Sequence, residues 1–404
     1  MLKTILKSIL WTIFIIIVML AVLLLWIWLD VQKGREAAMK EVKNQPYSYP
    51  IRNSNFQLYN DWKQFYPQFS KDIENAKEYI YIHYFSIGSG EASKKFFDLL
   101  RKKAEEGVDV YYSVDRAGSL KGNNKWFKQL KKSGVHVIYS NDPHFPHIWY
   151  EIQHRNHRRI AVMDGKIGYT GGLNIAEKYT KKNWHDYQVR MTGEGVQDFE
   201  NQFCKDWARN AKDVPPFHKK NEPKGDTRHY LKVYSGNGVV EDFVKTFDAA
   251  KTEIIIATPY FIPDDKKFMD ALKRASKRGV KITIMWPKKS DGLLLTQAAY
   301  PFVKDALQHN MRVYQYKKGI FHGKVVLIDR KYMIIGTVNI DSRSLRLNDE
   351  MSLFVDHSPF VEVVNRQVHK DLKDSREIKL DYFDQLSTKN KILTKIANVI
   401  HYFL

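Results

Sequence analysis

A chain of 404 residues with 44% hydrophobic side chains is long enough for two lobes with their own cores, and too apolar for a disordered chain. Lys and Arg number 65 against 45 Asp and Glu, a net charge of +20, so phosphate-rich partners are expected, either anionic lipid or nucleic acid. The single cysteine, Cys204, excludes an intramolecular disulfide and a cysteine-based metal cluster; its helical spacing from Phe199, Phe203 and Trp207 predicts a buried position.

Ile9 to Leu29 is an uncharged run of 21 residues, interrupted mildly by Thr12. A helix rising about 1.5 Å per residue spans a hydrocarbon core of roughly 30 Å over that length. Trp11, Trp26 and Trp28 lie near its ends, where amphipathic rings favour the interface. A cleaved signal peptide has an apolar stretch of about 7–15 residues and small residues at the cleavage site. This run is longer, and Trp26-Ile27-Trp28-Leu29-Asp30 lacks such a site. Residues 1–30 are therefore expected as a retained transmembrane anchor of a single-pass cell-membrane protein. Lys3 and Lys7 precede the span, whereas Lys33, Arg35, Lys40 and Lys43 follow it, which favours a cytoplasmic catalytic domain. Residues 31–52 read as a polar stalk.

Beyond the stalk the chain repeats itself. A strand is predicted over 78–87, a helix over 91–106, then Gly107 and a strand over 108–114. The same series returns as a strand over 253–261, a helix over 264–278, Gly279 and a strand over 280–286. Ala76-Lys77 and Ala250-Lys251 open the two series. Such alternation predicts parallel pairing. The fold class is α/β: two similar α/β/α lobes with mixed sheets, related by a pseudo-two-fold axis. The lobes are placed at 53–210 and 229–385. Residues 211–228, with Pro215, Pro216 and Pro223, read as the linker. Over 386–404, Ile392, Leu393, Ile396, Val399, Ile400, Phe403 and Leu404 recur at helical spacing beside Lys389, Lys391 and Lys395. This amphipathic helix either lies in the lipid interface or docks on the protein's own core.

The repeat is sharpest in one motif. His157, Arg159, Asp164, Gly171 and Asn174 are followed 165 residues later by His322, Lys324, Asp329, Gly336 and Asn339. Side chains alternate along a strand, so each histidine shares a face with the cation two residues on, and the two can grip one phosphate. The glycine and asparagine can bring a backbone N–H and an amide to the same phosphate. Two such strands build one site around a pseudo-two-fold axis.

This pattern resembles the phospholipase D superfamily, whose signature is His-x-Lys-x4-Asp-x6-Gly-[Gly/Ser/Thr]-x-Asn, usually present twice. The resemblance covers about residues 55–385. Within the superfamily the chain looks like the bacterial cardiolipin synthases of the minor, single-anchor type. Asn156-His157-Arg158, Gly171-Gly172-Leu173-Asn174-Ile175, Thr258-Pro259-Tyr260-Phe261-Ile262-Pro263-Asp264 and the run from Asp341 to Asn348 carry that likeness. One departure is Arg159 where the family usually has Lys; the charge survives, and a guanidinium grips phosphate in a bidentate way.

The resemblance implies a covalent phosphoryl-histidine. His157 is expected as nucleophile and His322 as acid and base, with Arg159, Lys324, Asn174 and Asn339 stabilising charge on the phosphoryl oxygens. It also implies that Glu350 orients His157 and Asp186 orients His322. Asp164 and Asp329 belong to the catalytic motif but read as structural pins. No metal or cofactor is called for, and His154, His185 and His309 read as loop or surface residues. The implied reaction transfers a phosphatidyl group between two phosphatidylglycerol molecules, releasing glycerol, with phosphatidylglycerol and anionic membrane lipid as partners and no nucleic acid. A hydrolytic phospholipase D carries the same motifs. A membrane-bound nuclease is disfavoured by the anchor. A non-enzymatic lipid-binding scaffold would not need both histidines.

Overall fold

The computed structural model describes residues 2–41, 47–120, 122 and 124–401. Lys43, Phe403 and Leu404, used above, lie outside them. The first lobe contributes seven strands: β1 (Arg52–Tyr59), β2 (Tyr79–Tyr84), β3 (Asp109–Asp115), β4 (His136–Ser140), β5 (Ile160–Met163), β6 (Ile167–Gly171) and β7 (Gln188–Gly193). The second repeats them as β8 (Thr227–Ser235), β9 (Glu253–Ala257), β10 (Lys281–Pro287), β11 (Arg312–Tyr316), β12 (Val325–Ile328), β13 (Tyr332–Gly336) and β14 (Asp349–Val355). An added edge strand, β15 (Ser375–Ile378), pairs antiparallel with β11.

Each lobe has the same order, β1-β7-β6-β5-β2-β3-β4 and β8-β14-β13-β12-β9-β10-β11. The β2-β3-β4 and β9-β10-β11 ladders are parallel and the rest antiparallel, a mixed sheet in each lobe. The two sheets join edge to edge, because β8 pairs antiparallel with β1 through His229 opposite Arg52. The pseudo-two-fold axis passes through this seam.

Packing follows the strand chemistry. All six residues of β2 are buried, as expected of a central strand covered on both faces. One face of each lobe carries its own core, centred on Phe65, Phe69 and Phe96 in the first and Phe243, Phe247 and Phe268 in the second. The opposite face carries one core that runs across both lobes, from Phe199 and Trp207 to Met351 and Val364. Cys204 is buried in it as the sequence predicts, and burial pushes its thiol up to about 12. The strands expected to run to residues 87 and 261 stop at Tyr84 and Ala257. The chain leaves the sheet there to pass over the motif histidines, held by the isolated bridges Ile87 to Ile175 and Phe261 to Ile340.

The N-terminal helix runs from Leu2 to Glu41, so the first part of the expected 31–52 stalk continues the helix. It does so because Asp30 and Val31 are buried against the protein: Asp30 accepts the amides of Trp149 (2.8 Å) and Tyr150 (3.2 Å). Residues Thr4–Ala38 are long and apolar enough to cross a membrane. The proline-containing linker lies along the first lobe, with Trp207 Nε1 donating to the Asp213 carbonyl (2.7 Å) and Tyr81 to that of Pro216 (2.8 Å). The C-terminal helix Thr388–Ile400 buries Ala397 against the second core, while Ile392, Ile396 and Val399 stay exposed. One face of the helix is therefore docked on the protein's own core and the other is exposed.

Candidate active site

His157 and His322 stand just before β5 and β12, where the lobes meet. Each backbone is tied to the opposite lobe. His157 N–H donates to the Asp349 carbonyl (2.9 Å) and His322 N–H to that of His185 (2.7 Å). The accepting residues immediately precede Glu350 and Asp186, so the same tie carries a carboxylate to each ring. His157 Nδ1 lies 2.8 Å from Glu350 Oε1, and His322 Nδ1 lies 2.7 Å from Asp186 Oδ2. A short parallel ladder, Trp184–His185 against Ile320–Phe321, fixes the second exchange. With Nδ1 held, each ring keeps Nε2 for the substrate.

The cations follow the period-two expectation. Arg159 Nη1 donates to the His157 carbonyl (2.6 Å) and Lys324 Nζ to that of His322 (2.5 Å). Lys324 Nζ also lies 2.9 Å from His322 Nδ1. Arg159 Nε is buried without a hydrogen-bond partner among the described residues, which leaves a donor for a phosphate oxygen. Both cations are nearly inaccessible to solvent, so their charges act at low dielectric.

Burial lowers both imidazoles, His157 the further. His157 is pushed well below the usual histidine range by burial, and by the charges of Arg159 and Lys324. His322 is also lowered by burial and by Lys324, but Asp186 opposes the shift. The carboxylates differ more. Burial raises Glu350 to about 8, against the hydroxyls of Ser344 (2.6 Å) and Thr337 (2.5 Å) that donate to it. For Asp186, burial raises the carboxyl, but Lys324 and His322 outweigh it and the net shift is downward. His322 therefore faces the more firmly charged acid and is the better proton carrier, while His157 is kept more fully unprotonated.

Other motif residues are committed elsewhere. Asp164 accepts the backbone amides of Lys77, Glu78 and Tyr79 at 2.8–3.0 Å, and Asp329 those of Lys251, Thr252 and Glu253. They pin the start of β2 and β9, away from the histidines, and explain why Ala-Lys precedes both strands. The glycines answer to packing: a Cβ on Gly171 or Gly336 would lie 2.4 Å from the Tyr187 carbonyl or 2.3 Å from that of Met351. Gly336 N–H donates to the Lys324 carbonyl (3.4 Å). Asn174 Oδ1 accepts from Ser86 N–H (3.1 Å) and its amide donates to Tyr179 (3.0 Å). Asn339 Oδ1 is buried without a partner among the described residues.

Several contributors escaped the sequence. Phe85 packs edge-on to His157 (4.9 Å), and Trp184 and Tyr260 flank His322 (5.3 and 6.3 Å). The signal for Phe85 and Tyr260 was an aromatic residue just past β2 and β9, indistinguishable there from core, whereas Trp184 stands shortly before β7. His185 lies in the short strand Trp184–His185 rather than in a loop, and His154, in a loop as expected, is half-buried. His185 Nε2 lies 2.9 Å from Asp371 Oδ2, and His154 Nε2 lies 3.4 Å from Asp349, both across the lobe boundary. Polar groups facing the seam are drawn inward because the partner carboxylates are buried there. His309 lies at the end of its helix, with Nδ1 2.8 Å from the Asp305 carbonyl.

The sequence pattern of the family described as "Cardiolipin synthase, PLD-like domain" matches residues 69–207 and 243–372, one match per lobe. The chain belongs to this family. It is 33% identical over 403 residues to the minor cardiolipin synthase ClsB of Bacillus subtilis, covering 97% of this chain and 100% of that protein. A cardiolipin synthase of Oceanobacillus iheyensis is 30% identical over 394 residues, covering 92% of this chain and 79% of its own. Among solved structures, the phosphatidylserine synthase of Haemophilus influenzae superposes with a TM-score of 0.69 at 17% identity, covering 92% of this chain and 100% of that one, a likeness of fold.

Lys324 gives the family site a pH limit. Burial, opposed by Asp186 and assisted by Arg159, lowers its ammonium to about 8. Its charge disappears as pH rises through that value, so turnover is expected to fall on the alkaline side. Lys324→Arg should move that limb upward in a pH–rate profile, since a guanidinium stays charged.

Proposed function

We propose that the protein is a cardiolipin synthase that works through phosphatidyl-His157. The observation that supports this reading best is the exchange of carboxylates across the seam, which gives two buried, oriented imidazoles where the lobes meet. His157 Nε2 attacks the phosphorus of one phosphatidylglycerol. The bond from phosphorus to the terminal glycerol oxygen breaks, and His322, which enters the cycle as an imidazolium held by Asp186, delivers its Nε2 proton to that oxygen, releasing glycerol. A hydroxyl of a second phosphatidylglycerol then gives its proton to His322 and attacks the same phosphorus, breaking the P–N bond and forming cardiolipin. Arg159 and Lys324 stabilise the charge on the non-bridging oxygens throughout. The apolar helix supports a single-pass membrane protein, and the basic residues after it support a catalytic domain on the cytoplasmic side.

Two displacements at phosphorus retain configuration. A donor chiral at phosphorus should give cardiolipin with net retention; net inversion would mean direct transfer between lipids and end the histidine-intermediate reading.

Glu350 carries a second expectation. Its folded value of about 8 exceeds the ordinary 4.5, so between those values the folded state holds a proton that the unfolded state has released. Stability therefore falls as pH rises from 4.5 to about 8. Glu350→Gln should remove that slope, raising stability near pH 8 by roughly 1–3 kcal/mol, while turnover drops about 100-fold or more because an amide cannot take up negative charge beside His157 as the ring bonds to phosphorus. Thermal melts at both ends of the window, beside turnover, check both halves.

A further inference from the structure

Among the described residues outside the N-terminal helix, four large apolar side chains are far more exposed than the rest: Leu293 (85%), Phe145 (80%), Val399 (80%) and Leu120 (78%). They come from four separate segments, yet all four segments lie at the end of the sheet that holds the histidines. Leu120 follows β3 in a turn whose Gly118 is so close to Phe85 that a Cβ would lie 2.0 Å from its carbonyl oxygen, and Phe85 packs on His157. Phe145 follows β4 in a loop whose Asn141 Nδ2 donates to Asp349 (3.3 Å). Leu293 follows β10, two residues from Asp291, which accepts from Tyr260 (2.5 Å) beside His322. Val399 sits on the C-terminal helix, which is fastened at this end by His401 to Asp264 (3.1 Å).

The anchor leaves the protein at the same end. Asp30 accepts two amides from the segment that follows the Phe145 loop, and Trp26 meets Trp149 edge-on at 5.8 Å. Gly34 lets the helix press against Tyr150, where a Cβ would lie 2.4 Å from the tyrosine Cβ. The helix is thus clamped, with its apolar run ending where the four side chains project. Exposed Lys288 and Lys289 share the loop of Leu293, and exposed Lys395 adjoins the apolar stripe of the C-terminal helix.

We propose that Leu120, Phe145, Leu293 and Val399 form a membrane-seated rim around the active site, dipping into the same bilayer that the N-terminal helix crosses. This rests on the single-pass reading above. The observation that selects a bilayer as occupant is continuity with the anchor, since residue 30 fixes the height of the interface at the mouth of the site. The lysines beside the rim match an anionic lipid surface. A rim buried about 5–10 Å brings the two histidines to the headgroup layer. Donor and acceptor lipids then keep their chains in the bilayer, and only their headgroups enter the site.

The test uses the full-length protein in phosphatidylglycerol vesicles. Single cysteines at Leu120, Phe145, Leu293 and Val399 carry an environment-sensitive fluorophore, and lipids brominated on the acyl chain serve as quencher. Buried Cys204 stays in place, and the unsubstituted protein gives its background labelling. Phe14→Cys in the anchor and Tyr332→Cys at the opposite end of the sheet are the references. Quenching at the four rim positions and at 14, but not at 332, is the expected result. Rim labels as unquenched as position 332, with 14 quenched, overturn the proposal and leave the anchor reading intact. An unquenched label at 14 removes the anchor reading and the proposal with it. As a second arm, Phe145→Asp with Leu293→Asp should cut turnover of vesicle lipid by about tenfold or more, while turnover of a water-soluble phosphodiester is unchanged. Equal loss on both substrates, or loss on neither, contradicts the rim.

Discussion

Alanine at either motif histidine is expected to lower cardiolipin formation by roughly 10⁴-fold or more, and the two variants should fail differently. His157→Ala removes the atom that bonds to phosphorus, so neither step proceeds. His322→Ala leaves His157 neutral, oriented by Glu350 at 2.8 Å and flanked by Arg159, but without a proton for the departing glycerol. A donor whose leaving group needs no proton, such as a phosphatidyl p-nitrophenol ester, should therefore still load His157 in the His322→Ala protein and then stall. Acid-quenched mass spectrometry of the peptide containing residue 157 reads this directly. Loading in His157→Ala instead would reverse the two roles. The direction rests on the asymmetry of the carboxylates, because Asp186 is held ionised by Lys324 and His322 while burial favours the neutral form of Glu350.

Arg158→Ala is expected to be the most damaging change outside the reacting groups, costing roughly 3–5 kcal/mol of stability. Arg158 is fully buried and fastens the first motif to the second lobe. Its Nη1 donates to Asp206 (2.6 Å), Nη2 to the Tyr234 carbonyl (2.5 Å) and Nε to the Glu350 carbonyl (3.1 Å). Alanine leaves Asp206 with one fewer cation in a dry site and frees the backbone that carries Glu350. The pseudo-equivalent position is Gly323, where the space is taken by Tyr187; a Cβ there would lie 2.7 Å from its ring. Tyr187 in turn donates to Asp371 (2.5 Å), so the second motif is locked by a tyrosine and an aspartate where the first uses an arginine. Chemical denaturation of the two proteins in the same detergent measures the cost. A loss below about 1 kcal/mol would mean that the seam does not depend on this cation.

The repeat was legible because it is written in polar residues at fixed register. His157 and His322, their cations and the Asp164 and Asp329 pins recur at one spacing, and side-chain alternation places each cation beside its histidine. Asp186 and Glu350 were reachable through the resemblance and their near-equal distance from the motifs. The joining of both sheets through β1 and β8 was not legible, since an edge strand that meets its symmetry mate has the same alternation as one that meets water. Nor was the inward turn of His185 and His154, whose partners Asp371 and Asp349 lie 186 and 195 residues away in sequence. The continuation of the anchor to Glu41 was hidden for a similar reason: its polar composition suits a stalk, and only burial of Asp30 and Val31 against the Trp149 segment reveals a docked helix.

The most direct test of transfer through a histidine is the lipid product of the purified full-length protein in phosphatidylglycerol vesicles with a metal chelator present, beside His157→Ala and His322→Ala. Cardiolipin and glycerol in equal amounts from the unsubstituted protein, and neither from the variants, is the expected result. Phosphatidic acid in place of cardiolipin would make water the acceptor and the protein a hydrolase, and cardiolipin from either variant would contradict the assigned site.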